Sequence, residues 1–445
     1  MNKLRQSGRP SRAPAVSRVC MVLISTGVLG VAIAADVLGG FEVPPDLTPT
    51  AILPASIASG TNYHVVDPVR SDGLMHHYVV DSKFGQFDAY GQIALANRIH
   101  EVAALTELAK TATIEIVAGG VGRGVKSQLD TATGVVEHPI KTVTGIPKGI
   151  AHLFHGYVDQ AKEATASAKR STSSGSGSGE SASTVAAKGG SAVRNYASRY
   201  LGLTAAERHW YEKLGVDPYT NNATLRKAIH KVAKVDAAAG FGMHFVGIPS
   251  IPGIGDIHQV MEAVYKEDPA TIRARTKVTL ASYGLDQNEI DRWQNTLVLS
   301  PTRQVLFLKA AAALNGIEGR GELFRHAIGL ESDAEAQVYL QSVGLLVMAH
   351  HKQAITAILP GVRLPAGRRA DGQIVVCGAF ESVYWTADVA KGEEQIRQAL
   401  GQSAAGAREL WMAGTVSDRA RAELRDLGWK LQEISQTETA VTASR

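Results

Sequence analysis

Apolar and polar positions change period several times along this chain, and the changes divide it. Residues 35–60 (ADVLGGFEVPPDLTPTAILPASIASG) mix apolar residues with Pro and Gly in neither a helical nor a strand period, which predicts an extended leader. From Asn62 the segments NYHVVD, LMHHYVVDS and QFDAY are short and rich in Val and Tyr. Asp67-Pro68, Asp72-Gly73 and Gly85 punctuate them, the pattern of a small antiparallel meander. A helix is expected over Gln92 to Ala112, with Ile93, Ala96, Ile99, Val102 or Ala103, and Leu108 on one face. Arg98, Glu101 and Lys110 fall elsewhere on it, so the apolar face would cover the meander.

The middle of the chain reads differently. Residues 114–158 are Gly-rich, apolar and lightly basic, whereas 164–191 are almost entirely Ala, Ser, Thr, Gly and Lys, with SGSGSG at Ser174–Gly179. Such a composition buries no core and predicts flexible coil. Beyond it helix punctuation is dense. Thr204-Ala-Ala-Glu207 and Ser332-Asp-Ala-Glu335 read as capping boxes, Asp286 with Glu289 resembles one, and Gly215 is a stop. Asn222 can cap a helix ending near Gly240, and Asp268-Pro269 and Ser300-Pro301 each place Pro at a first helical position. Residues 195–360 thus predict roughly six to eight helices. The last part alternates: QIVVCGAF as a buried strand, VYWTADVAKGEEQIRQAL as mostly helix, ELWMAG as a strand, SDRARAELRDLG as a capped helix and WKLQEIS as a strand. That order predicts parallel βαβ units.

The expected fold class is therefore α+β and predominantly helical. A signal peptide at 1–34 and the leader at 35–60 precede a small α+β domain at 61–160, the meander plus its helix. A flexible Ser/Gly/Ala linker at 161–192 leads to a helical domain at 193–360, a C-terminal βαβαβ unit at 361–435 and a disordered tail at 436–445.

The start of the chain changes how the composition is read. Lys3, Arg5, Arg9, Arg12 and Arg18 form an acid-free basic region, an apolar stretch runs from Val19 to Ala34, and Ala32-Ile33-Ala34 offers small residues to a signal peptidase. This predicts export to the periplasm or beyond, with an N-terminal inner-membrane anchor facing outward as the alternative. The whole chain carries +4, but five basic residues and no acid lie within 1–34, so residues 35–445 carry −1. The compositional argument for nucleic acid disappears with the signal. Cleavage would also remove Cys20 and leave Cys377 alone, which excludes an intramolecular disulfide and any thiolate-rich metal site.

Few residues suggest chemistry. Ala118-Gly-Gly-Val-Gly-Arg-Gly124 has Val125 where the third glycine of a dinucleotide loop belongs, and no Gly-Lys-Ser/Thr follows it. His64, Asp67, Asp72, His76, His77 and Asp81 cluster in the meander, but strand alternation sends His76 and Tyr78 to one side and His77 and Asp81 to the other. A metal needs three or four converging ligands, so neither a metal nor another cofactor is expected. His350-His351 suit the C-terminal end of a helix as surface residues complementing its dipole. Cys377 in an apolar strand is expected to be inert. Tyr384-Trp385, Trp411 and Trp429 suit a small core, with glycan or peptide contact as the functional reading. Ala237–Ile257 and Thr144–Phe154 are apolar stretches broken by Gly and Pro, each a buried connection or a membrane-surface contact.

No catalytic residue is assigned. The expectation is an exported, non-enzymatic binding or interaction module whose partner is an envelope protein or a glycan, with no nucleic acid. A periplasmic hydrolase with its cleft between the helical and C-terminal parts is the first alternative, and a membrane-surface-associating envelope protein the second.

Overall fold

A computed structural model describes residues 40–111, 195–235, 253–254, 257–401 and 407–434, and the molecule mixes helix with sheet. The expected signal at 1–34, the Gly-rich stretch at 114–158, the linker at 161–192, most of Ala237–Ile257 and the tail at 436–445 lie outside the described residues. Among the described residues no helix is long and apolar enough to cross a membrane.

The stretch expected as an extended leader contains two single-turn helices, α1 (Pro49–Ile52) and α2 (Ala55–Ala58). Proline explains both: its fixed φ suits the start of a helix, and Pro49 is the first helical residue while Pro54 stands at the cap of α2. Leu47 bridges to Val69, and Leu53 and Ala58 are buried, so this segment packs onto the meander. Five strands follow: β1 (Ser59–Gly60), β2 (Tyr63–Val65), β3 (Arg70–Ser71), β4 (His76–Ser82) and β5 (Gly85–Tyr90). β4 pairs antiparallel with β2, β3 and β5, and positive φ at Gly85 lets the chain reverse directly from β4 into β5. Helix α3 (Gln92–Thr111) comes next.

A π-helical turn, Ala197–Leu201, opens the second stretch, followed by α4 (Ala205–Leu214), α5 (Ala223–Val235), α6 (Ile257–Lys266), α7 (Pro269–Ser282), α8 (Gln287–Gln294), α9 (Pro301–Ala313), α10 (Gly321–Ala327) and α11 (Asp333–Lys352). Local punctuation sets their ends. Thr204 and Glu207 form a reciprocal capping box, as do Asp286 and Glu289, and Gly215 ends α4 in the left-handed conformation. Asn222 accepts the Leu225 N–H, and Asp268 and Ser300 cap helices that begin with proline. The cap of α11 departs from its expected box. Ser332 accepts the Glu335 N–H, but the Glu335 carboxylate turns to the Glu331 N–H instead of the Ser332 N–H. Trp293, Phe307, Phe324 and Tyr339 stack into the centre of this helical layer.

The third part is a five-stranded sheet of β6 (Ile355–Ile358), β7 (Ala366–Arg369), β8 (Ile374–Gly378), β10 (Arg408–Met412) and β12 (Trp429–Glu433), in the order β12-β10-β8-β7-β6. β8, β10 and β12 are parallel and joined through α12 (Ala387–Leu400) and α13 (Asp418–Asp426); β6 and β7 add an antiparallel hairpin. Every residue of β8 is buried and α11 packs on it, which is why IVVCG reads as an unbroken apolar run. The sheet starts at Ile355, ahead of the residue 361 at which the sequence pattern changes. A second, two-stranded parallel sheet joins β9 (Ser382–Val383) to β11 (Thr415–Val416).

These parts are fastened together. The N–H groups of Glu381 and Ser382 donate to the Leu74 carbonyl at 2.9 and 3.2 Å, and the Tyr384 N–H donates to the Gly73 carbonyl at 3.0 Å. The Glu42 N–H reaches the Trp385 carbonyl at 2.8 Å, and the Glu42 carboxylate accepts from Ser417 Oγ at 2.6 Å. Helix α3 touches β4 and β5 and also α5. Burial from two directions corrects the face expected for it: Leu95, Val102, Leu105 and Leu108 are buried, Ala103 is exposed, and Glu101 is buried rather than solvated.

Candidate functional site

Where β5, α3 and the helical layer meet, they border a solvent-open cavity of about 680 Å³, within the range of small-molecule sites. Val216, Ile257, Met261, Leu306 and Ala334 supply an apolar wall, and Tyr200 and Tyr219 contribute aromatic rings set edge to face. The opposite character comes from charge: among the described residues Asp88, Glu101, Asp217, Asp333, Arg98, Arg199 and Arg303 all line the space.

Local structure holds most of these groups in place. On α3, Arg98 lies one turn before Glu101 and donates to it at 2.7 Å; Arg98 also donates to the Asp88 carbonyl at 3.0 Å and to Asn221 Oδ1 at 2.5 Å. Glu101 accepts from the Thr220 hydroxyl and from Asn222 Nδ2 at 2.9 Å, tying α3 to the loop between α4 and α5. Asn221 Nδ2 donates to Asp333 at 2.9 Å, Arg303 donates to the other oxygen of Asp333, and Arg199 lies 3.8 Å away. Asp333, at the start of α11, thus sits in the favourable field of a helix N-terminus.

Asp217 stands apart. Its Oδ1 accepts from the Thr302 hydroxyl at 2.6 Å and from the Tyr219 N–H at 3.0 Å, both neutral donors. Burial pushes its carboxyl above the ordinary value; the Thr302 and Tyr219 bonds and the Arg303 charge pull the other way without cancelling it. Burial acts on Asp333 too, but the Arg303 charge and hydrogen bond, with Asn221 and Arg199, overcome it and hold that carboxyl below its ordinary value. The Tyr219 hydroxyl and Gln337 Nε2 are buried with no hydrogen-bond partner, and Tyr219 is only 5% exposed.

The residues singled out in the sequence sit elsewhere. His64 faces Asp81 across β2 and β4 at 3.8 Å, and does not oppose His76 or His77. His77 lies 2.9 Å from Asp88 and stacks on Tyr90. Asp72 caps its own turn by accepting the Leu74 and Met75 N–H groups, and Asp67 precedes the cis Pro68. The alternation expected for β4 is present, and among the described residues no three His, Cys, Asp or Glu side chains are grouped to hold a metal ion.

His76 and His77 are buried, because β4 is the inner strand of the meander and the C-terminal part packs against it. His76 Nε2 lies 3.1 Å from Ser382 Oγ, and His76 Nδ1 lies 3.2 Å from the Tyr78 hydroxyl and 3.3 Å from Glu381 Oε2. Burial lowers His76 to about 4 and raises Glu381 to about 7.

His350 also differs from expectation. It is half-buried, its Nδ1 accepts the Ile355 N–H at 3.1 Å at the end of α11, and burial lowers its pKa. Cys377 is buried, and burial pushes its thiol upward. Trp385, Trp411 and Trp429 are buried, with the Trp411 and Trp429 N–H groups donating to Glu409 at 3.1 Å and Glu393 at 2.9 Å.

The cavity residues went unread because they come from segments far apart in sequence. The one local signal is VDPYTNN at Val216–Asn222, a turn between two amphipathic helices, the kind of loop that carries binding groups. No protein-family model, curated protein or solved structure matches this chain.

Proposed function

We propose that this chain is an exported, non-enzymatic binding module that takes a small molecule with an apolar body and a polar end, drawn from the cell envelope. The cavity of about 680 Å³ carries the reading. Apolar side chains (Val216, Ile257, Met261, Leu306) and charged ones (Asp217, Arg303, Asp333) both line it. Export is supported by the basic and apolar pattern of residues 1–34. An independently tethered domain adds nothing here, since the regions before and after residues 161–192 pack on one another.

The test is a thermal-shift scan of a fragment library on the wild type and on Ala223→Trp. Ala223 is exposed at the start of α5 and lines the cavity, so the indole blocks the space without entering the core. Fragments that raise the wild-type melting temperature, and fail to do so in the variant, support the reading. A scan with no such fragment refutes it.

A second reading, a serine hydrolase, has one observation in its favour: Ser382, His76 and Glu381 stand in the order of a nucleophile, a base and an orienting acid. Against it, Ser382 and His76 are 4% and 6% exposed. The cluster also lies in the seam between the meander and the C-terminal part, not in a cleft between the helical and C-terminal parts.

A further inference from the structure

The charges around the cavity do not balance. Among the described residues four carboxylates and three arginines line it, and no lysine does. Each arginine is already engaged: Arg98 with Glu101, and Arg303 and Arg199 with Asp333. Asp88 lies against His77, with the Arg98 charge nearby. Asp217 is the one lining carboxylate that makes no ion pair with a described residue; Arg303 acts on it through space but gives its hydrogen bonds to Asp333 and the Val298 carbonyl. One acid group thus has no ion-pair partner among the described residues, beside the buried Tyr219.

We infer that the ligand of this cavity is a small organic ammonium ion, with Asp217 as its counter-charge and the wall of Val216, Ile257, Met261 and Leu306 against its apolar body. This rests on the binding-module reading and deepens it. An anion is disfavoured because it would have to displace a carboxylate from each arginine it used. A bare metal cation is disfavoured because Asp217 offers one carboxylate where such ions need several oxygen ligands. An ammonium supplies N–H donors for Asp217 and a positive charge for the neighbouring tyrosine rings. Burial raises the Asp217 carboxyl, and a bound cation would draw it back toward the ionised form.

The experiment is isothermal titration of the full chain with three probes of one shape and different charge: benzylammonium, benzyl alcohol and benzoate. Benzylammonium is expected to bind about tenfold more tightly than benzyl alcohol, and benzoate more weakly than either. Asp217→Asn keeps an oxygen for Thr302 and the Tyr219 N–H, and is expected to remove most of the preference for the ammonium. Equal or tighter binding of the alcohol or benzoate, blocked by Ala223→Trp, overturns the ammonium assignment and leaves the binding module standing. An unchanged preference in Asp217→Asn also overturns it. No binding of any of the three overturns it too, and the fragment scan then decides the broader reading separately.

Discussion

His76 Nδ1 lies 3.3 Å from Glu381 Oε2, joining the inner strand of the meander to the segment that follows β8. Glu381 also accepts the His76 N–H at 3.1 Å and the Gln92 N–H, so one side chain holds the end of β4 and the start of α3. Two distant stretches of chain are fixed at a single buried carboxyl.

That carboxyl gives stability a specific pH dependence. With its pKa raised to about 7, Glu381 binds its proton more tightly folded than unfolded. Its contribution is complete below the ordinary carboxyl range and is lost as pH rises through about 7. His76, lowered to about 4, acts in the opposite sense and weakens the fold as pH falls from the ordinary imidazole range. Glu381→Gln removes only the first slope. The stability of wild type relative to the variant, measured by urea unfolding, is expected to fall by about 3 kcal/mol between about pH 5 and about pH 8. A difference that does not change with pH contradicts this.

Glu101 is a second fastening. Its carboxylate collects Arg98, Thr220 and Asn222, so Glu101→Ala takes the ion-pair partner from a largely buried guanidinium and an acceptor from two polar groups. A loss of about 3 kcal/mol is expected, with Glu101→Gln intermediate because it keeps one acceptor oxygen. Urea denaturation reads both, and a near-neutral Glu101→Ala would mean that α3 and the loop at 216–222 are held by apolar packing alone.

Two glycines separate steric from conformational cost. A Cβ on Gly414 would stand 2.1 Å from the Glu381 carbonyl oxygen, so Gly414→Ala must push apart backbone in the seam. At Gly372 nothing lies within 4 Å, and only the φ of +84° opposes a side chain. The expected losses are about 3 kcal/mol for Gly414→Ala and about 1 kcal/mol for Gly372→Ala. Equal losses, measured side by side, would show that the backbone at Gly414 yields freely.

The serine of the seam is expected to be silent. Ser382 is 4% exposed, and a fluorophosphonate probe needs access to Oγ. Native protein should therefore show no Ser382 adduct by mass spectrometry. Stoichiometric labelling, abolished by Ser382→Ala, would favour the hydrolase over the binding module.

What could be read from the sequence was what neighbouring residues decide. The box of Thr204 and Glu207, the stop at Gly215 and the Asp268-Pro269 and Ser300-Pro301 starts depend on contacts within a few residues, and the strand of Cys377 shows as an unbroken apolar run. The face of α3 was legible only in part: Val102 and Leu108 are buried as expected, but so are Leu95 and Leu105, because a helix packed on both a sheet and another helix loses the single-stripe pattern. The cavity was not legible: Asp88, Asp217 and Asp333 belong to β5, a helix–helix loop and the first turn of α11, and only the packing of those elements brings them together. Asp333 in particular reads as an ordinary acid after a serine cap.

The most direct measurement is a methyl spectrum of isotopically labelled protein titrated with benzylammonium. Ile93, Ile257, Met261 and Leu306 line the cavity, whereas Ile374, Val375 and Val376 lie buried in the central strand β8. A ligand site in the cavity predicts saturable shifts at the first group and still resonances at the second, with the response lost in Ala223→Trp. Saturable shifts confined to other methyls, or the same response in the blocked variant, would contradict it.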